Sequence, residues 1–448
     1  MTSLLKAASL IALLSASGSG AFLVAPAFAD APAAVAQSNE AAIDGRWDAA
    51  LSRDGVTIPF RLDIQGNGAN LKGVFYDGFT PYDGTTSASF QDGKLTLNIA
   101  HYLTTIDASL NDGQLNGTVA TQGRGPAGQY AFAATRHVDQ AVAANAPSIN
   151  GSWVIPLSAP SSKGEKAFRF VVQQKGAEVA AAILRIDGDT GSYSGSFEDG
   201  KWVLSHFDGG RPGVIVVTPK PDGTLQIEQH ADHPGASNGA VDGGRAPVLV
   251  AYRLDAAAAL PKPDDFLTHT SVRDPDATFK FAFKDIDGGV VTNDDPRFKG
   301  KVVLAVVSGT WCPNCHDEAQ YLVELDKKYR SKGLAIVDLD FEEPDQQDTL
   351  ERAHAFNKQY GVKYTTLLVG APSEMHEKVP QLNNLDTWPA TIFIGRDGKI
   401  KAVHAGFASP ATGAFNVQLK KEFTSRIEQL LAEKNTAAAS SAEAGRGG

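Results

Sequence analysis

The chain of 448 residues holds two cysteines, and they stand three apart in Cys312-Pro313-Asn314-Cys315. No third cysteine exists to make a structural cross-link, so the pair is kept for chemistry. The apolar run Val302-Val303-Leu304-Ala305-Val306-Val307 reads as a buried strand, and Asp317 to Lys328 carries Ala319, Tyr321, Leu322 and Leu325 at helical spacing. Cys312 therefore falls where a strand gives way to a helix. Unpaired N–H groups and the positive end of the helix dipole stabilise a thiolate at such a place, which makes Cys312 a nucleophile. Cys315, one turn on, is set to attack the mixed disulfide that Cys312 forms, so the unit alternates between dithiol and disulfide. Trp311 would shield one side of it. Downstream, Trp388-Pro389 opens the apolar run Thr391 to Ile394. A proline at the mouth of such a strand is accommodated by a cis bond, which leaves the Trp388 carbonyl free to pair with an extended polypeptide.

The elements that must hold these residues follow from a change of periodicity along the chain. Residues 1–29 read as an export signal: Lys6, an apolar stretch from Ala7 to Leu14, and a small-x-small site at Ala27-Phe28-Ala29. Short alternating runs separated by Asp-Gly turns come next, as in Phe60-Arg61-Leu62-Asp63-Ile64 and Leu95-Thr96-Leu97-Asn98-Ile99, an all-β pattern. It repeats at an offset of about a hundred residues. Ile43-Asp44-Gly45-Arg46-Trp47 is echoed by Ile149-Asn150-Gly151-Ser152-Trp153, and Ser89-Phe90-Gln91-Asp92-Gly93-Lys94 by Ser196-Phe197-Glu198-Asp199-Gly200-Lys201. The expectation is two tandem β barrels or sandwiches, residues 43–136 and 149–253. An Ala- and Pro-bearing linker, 254–276, leads to an α/β region with a mixed sheet, 277–433, and an Ala/Ser/Gly tail, 434–448. Within the α/β region the spacing predicts an antiparallel pair at Phe279–Phe283 and Val290–Thr292. After the active helix it predicts a strand at Leu334–Leu339, a helix at Gln347–Tyr360, a short strand at Thr365–Val369, a hairpin turned by Asp397-Gly398, and a closing helix at Val417–Leu431.

Four features in this order resemble the thioredoxin superfamily, specifically its TlpA-like and ResA-like thiol-disulfide oxidoreductases. They are Gly309-Thr310-Trp311-Cys312-Pro313-Asn314-Cys315, Gln359-Tyr360-Gly361-Val362, Pro389 before Thr391 to Ile394, and Gly395-Arg396-Asp397-Gly398-Lys399-Ile400. The resemblance covers about Ala277 to Glu433 and implies a thioredoxin fold, an exported location, and reduction of protein disulfides without a cofactor. Its implied partners are a disulfide-containing client protein and an upstream thiol electron donor. It also implies an acidic residue three positions after the second cysteine, held here by Glu318, that exchanges a proton with Cys315. There are two departures. The buried aspartate six residues before the first cysteine of thioredoxins proper is Val306 here, and Ser308 replaces an aromatic residue.

Composition narrows the alternatives. A net charge of -10 gives no basic stripe for nucleic acid, and no segment outside the signal is long and apolar enough to span a bilayer. Cys312-Pro313-Asn314-Cys315-His316 is also the attachment pattern of c-type haem, but the strand-to-helix setting leaves no large apolar pocket. A peroxiredoxin-like peroxidase needs Thr or Ser where Gly309 stands. A third alternative gives the main function to the β repeats as a binding module, with Trp47, Trp153 and Trp202 on a binding face; as strand aromatics they are expected in the cores. No metal is expected: His230-Ala231-Asp232-His233 lacks a third ligand, and Glu342, Glu343 and Asp345 read as a solvated loop.

Overall fold

The computed structural model describes residues 43–122, 128–138, 146–189, 191–210, 212–231, 248–256 and 258–433. The export signal, the tail, Asp232 and His233 lie outside the described residues.

Nine antiparallel strands, from Gly45–Arg53 to Gly128–Arg136, form the first unit. The first strand pairs with both the second and the ninth, and the sheet stays open between its edge strands Thr80–Gly84 and Ser87–Gln91, giving a half-barrel. Alternation sets the inside: in Val56–Gln65 the buried residues are Ile58, Phe60, Leu62 and Ile64. Asp54-Gly55, Asp92-Gly93 and Asp112-Gly113 each carry two successive positive φ angles, the geometry a two-residue hairpin demands. The second unit has eight strands, Gly151–Pro156 to Val248–Arg253, and closes into a barrel where Trp153 pairs with Arg253. One piece of local architecture occurs in both. Trp47 Nε1 donates to the Ile43 carbonyl at 3.0 Å with Arg136 4.2 Å over its ring; Trp153 Nε1 donates to the Ile149 carbonyl at 2.9 Å with Arg253 4.0 Å over its ring. These tryptophans and Trp202 are buried core residues and form no binding face.

The third unit is a seven-stranded mixed sheet with helices on its faces. Its order is Val290–Thr292, Ala282–Asp285, Thr365–Gly370, Leu334–Phe341, Val302–Ser308, Ala390–Ile394, Ile400–Ala405. Val302–Ser308 is buried along its whole length and runs parallel to Leu334–Phe341, as a strand covered on both faces must be apolar throughout. The active helix spans Pro313–Tyr329, starting earlier than the apolar spacing shows because Pro313 fits a first helical position, where no N–H is needed. The region read as one helix from Gln347 is two, Pro344–Gln347 and Glu351–Tyr360, broken by Leu350 at φ 52. The closing helix spans Ala414–Ala432. The Pro-bearing stretch before this unit is docked along it: Ser271–Val272 pairs with Leu382–Asn383, His269 Nε2 is 2.7 Å from Asp386, and Phe266 stacks on His404.

Candidate active site

Cys312 is the N-cap of the active helix, with extended backbone (φ -101, ψ 116), directly after the turn that leaves Val302–Ser308. Its carbonyl accepts from the N–H groups of Cys315 (3.0 Å) and His316 (3.3 Å), so the helix grows out of the residue that carries the first sulfur. The thiol donates to the carbonyl of Trp388 at 3.4 Å, and the Trp388–Pro389 bond is cis. Trp311 is pinned by a 2.8 Å hydrogen bond from Nε1 to the Phe341 carbonyl and meets Trp388 edge-on at 5.1 Å. The fold thus brings Trp311, Cys312, Cys315 and Trp388 into one cluster, and the two cysteines, both free thiols, are each 3% exposed. Burial, then the hydrogen bond and charge of Cys312, push the Cys315 thiol well above its ordinary range, so it keeps its proton until a base takes it.

Glu318 supplies the adjacent acid. It is 1% exposed, its Oε1 accepts from Thr391 Oγ1 at 2.5 Å, and its Oε2 has no hydrogen-bond partner among the described residues. Burial, reinforced by the charges of Asp338 and Cys312, raises its carboxyl to about 8, so near neutral pH it holds a proton that it can give up.

Asp338, Asp340 and Glu342 complete a buried acidic row that spacing alone did not reveal. They alternate along and just past Leu334–Phe341 and share one face of the sheet, which is the signal that points to them. Asp338 lies opposite Val306 in register and accepts from Ser308 Oγ; burial raises it to about 7. A buried carboxyl thus stands beside Val306 on the neighbouring strand. Glu342 is a correction to the reading of a solvated loop. It is fully buried, 2.7 Å from Arg352 and hydrogen-bonded by the Thr310 hydroxyl, because the strand carries it inward against the helix that bears Arg352. This pair anchors Thr310, two residues before Cys312, and Arg352 Nε also donates to Thr310 Oγ1 at 3.0 Å. His316 is buried as well. Its ring nitrogens lie 2.7 Å from the Thr310 carbonyl and 2.8 Å from the Tyr360 hydroxyl; Tyr102 stacks on the ring and Phe356 meets it edge-on. With both nitrogens engaged and its ring packed between aromatic neighbours, it is placed as a structural residue and not as an axial ligand to haem. Among the described residues no group of three or more His, Cys, Asp or Glu side chains is arranged to hold a metal ion.

Comparison with known proteins converges on this part of the chain. Residues 275–403 match the AhpC/TSA family. Thiol-disulfide oxidoreductase ResA of Bacillus thuringiensis (strain Al Hakam) is 31% identical over 120 residues, 27% of this chain and 62% of that protein. The protein of the same name from Oceanobacillus iheyensis is 26% identical over 159 residues, 36% of this chain and 77% of that protein. A solved thiol:disulfide interchange protein of the thioredoxin family from Chlorobium tepidum TLS is 20% identical, covering 36% of this chain and 100% of its own, with a TM-score of 0.28. The chain therefore spans 62% of the length of the first of these relatives, and the AhpC/TSA match leaves both β units outside it.

Proposed function

The carboxy-terminal region carries a thioredoxin-like domain related to thiol-disulfide oxidoreductases, and from that premise we propose that the chain reduces protein disulfides outside the cytoplasm through Cys312 and Cys315. The observation that carries this reading is the placement of two thiols on the first turn of one helix, within the influence of one another and of a protonated buried carboxyl.

The steps follow from the groups present. The Cys312 thiolate attacks one sulfur of a client disulfide; that bond breaks, a mixed disulfide forms, and the other client sulfur leaves as a thiolate that takes up a proton. Cys315 then loses its proton to the Glu318 carboxylate, which must first have released its own, and attacks Cys312. The client's second sulfur is expelled and the Cys312–Cys315 disulfide remains. An upstream dithiol donor returns two electrons and two protons. The Trp388 carbonyl, which accepts from Cys312 in the free protein, becomes available to the client's backbone once that thiol has reacted. Export is supported by the Ala27-Phe28-Ala29 site after its apolar stretch. No helix among the described residues is long and apolar enough to cross a membrane.

Insulin reduction by the full-length protein, with dithiothreitol as electron source, tests the proposal, together with the equilibrium of the Cys312/Cys315 couple against glutathione. A strongly reducing couple and turnover lost in Cys312→Ser are expected. A couple as oxidising as that of periplasmic oxidants reverses the direction, and turnover of hydrogen peroxide without insulin reduction moves the chain to the peroxidases.

A further inference from the structure

The start of the active helix has no solvent-facing side. Residues 311–319 are all buried, and at about 100° per residue the seven that are helical sweep through every direction. The sheet of the α/β unit and its helix Glu351–Tyr360 cover part of this surface, and the β units cover another part. Tyr102 of the half-barrel stacks on His316 with ring centres 4.2 Å apart, and Tyr82 donates to Asp317. From the closed barrel, the tight turn Arg185–Gly188 reaches the cysteine motif itself. The carbonyl of Asp187 accepts from Asn314 Nδ2 at 2.8 Å and from the backbone N–H of Phe407 at 3.3 Å, and Gly188 forms a parallel bridge with Phe407.

The approach is backbone to backbone, and it needs glycine on both sides. A methyl group on Gly188 would land on the Phe407 carbonyl oxygen and 2.7 Å from Asn314 Cγ; one on Gly406 would land on the carbonyl oxygen of Ile186. The N–H of Gly406 donates to the Pro389 carbonyl at 2.8 Å, so the segment being bridged is tied to the one that faces Cys312. A piece of main chain thus lies between the dipeptide that separates the cysteines and the residues next to Pro389, held by main-chain hydrogen bonds in the way a sheet edge captures an extended peptide.

We propose that the surface between Asn314 and Phe407 is the docking groove for an extended client polypeptide, and that the barrel turn Arg185–Gly188 occupies it as a tethered competitor. This rests on the dithiol exchange proposed above and adds a partner class and a gate. A client backbone carbonyl takes over the donors of Asn314 and Phe407 only when the barrel withdraws. The seam suits reversible opening because much of it is polar. Asp189 accepts from Ser409 Oγ at 2.5 Å, and Gln173 Nε2 donates to the Ala411 carbonyl at 3.0 Å, so water can satisfy the parted groups.

The test is the labelling rate of Cys312 in the full-length chain carrying Cys315→Ser, which leaves a single thiol. Iodoacetamide and a maleimide bearing a long polyethylene glycol chain are compared. Both are expected to react at least about tenfold more slowly than with the urea-unfolded chain, the bulky reagent slower still, since a tenfold protection is a closed state favoured by about 1.4 kcal/mol. Gly188→Ala and Gly406→Ala drive wedges into the contact from opposite sides. Each is expected to speed labelling about tenfold and, in the Cys315-containing protein, to lower KM for insulin more than it changes kcat. Labelling of the unwedged Cys315→Ser chain as fast as in the unfolded chain overturns the gate, as do folded wedge variants, verified by far-UV circular dichroism, that label at the unwedged rate. Where a wedge variant does not fold, the ratio of the two reagents on the unwedged chain decides. Disulfide formation between Cys312 and Cys315 against glutathione is measured separately, so failure of the exchange chemistry is told apart from failure of the gate.

Discussion

At the scale of single residues, the two sulfurs are equally buried and differ in their place on the helix. Cys312 begins the helix, while burial and the neighbouring sulfur hold Cys315 protonated. Two outcomes follow: Cys312→Ser reduces insulin no faster than background, and Cys315→Ser accumulates the mixed disulfide, visible as a client adduct by mass spectrometry under non-reducing conditions. Glu318 gives a pH prediction. Its carboxyl is raised from 4.5 to about 8, so the folded chain binds a proton there that the unfolded chain has lost. Its share of stability is full below about 4.5 and disappears as pH rises toward about 8. Glu318→Gln, which cannot ionise, is expected to flatten the fall in unfolding free energy, read by urea titration, across that window, by on the order of a few kcal/mol at most. Asp338, raised to about 7, leaves a smaller slope of the same sign in the variant.

At the scale of elements, the turn after Val302–Ser308 is held from behind by an ion pair that does no chemistry. Glu342 and Arg352 are both buried, and together they fix Thr310 two residues ahead of Cys312. Removing one partner strands a charge in the interior, so Arg352→Ala is expected to cost about 3–5 kcal/mol in urea unfolding. Adding Glu342→Gln to it is expected to recover part of that loss, because the stranded charge goes too; a double-mutant cycle reads the coupling.

At the scale of the whole molecule, Tyr102 touches all three units. It sits on the half-barrel, stacks on His316 of the active helix, and packs against Gly209 and Gly210 of the closed barrel. Tyr102→Ala should therefore do more than lower stability by about 3 kcal/mol. The wild type is expected to unfold in a single transition seen by calorimetry, and the variant in two, with the β units and the α/β unit parting company. A single sharp transition in the variant would place the coupling elsewhere.

Sequence alone determined what local patterns can carry: the place of the Cys312/Cys315 pair between strand and helix, the alternation of the β units with their Asp-Gly turns, and the mixed α/β sheet. Each depends on neighbours within a few residues or on a regular period. The tertiary structure decided whatever depends on partners distant in the chain. Glu342 reads as solvated beside Glu343 and Asp345, and only the helix bearing Arg352 shows that it is buried. Val306 reads as a lost carboxylate, and only the register shows that Asp338 stands opposite it on the adjoining strand. Nothing in Asn314 announces that its amide is held by Asp187, 127 residues earlier, because the closure of the β units over the active helix is a contact between surfaces and leaves no period in either of them.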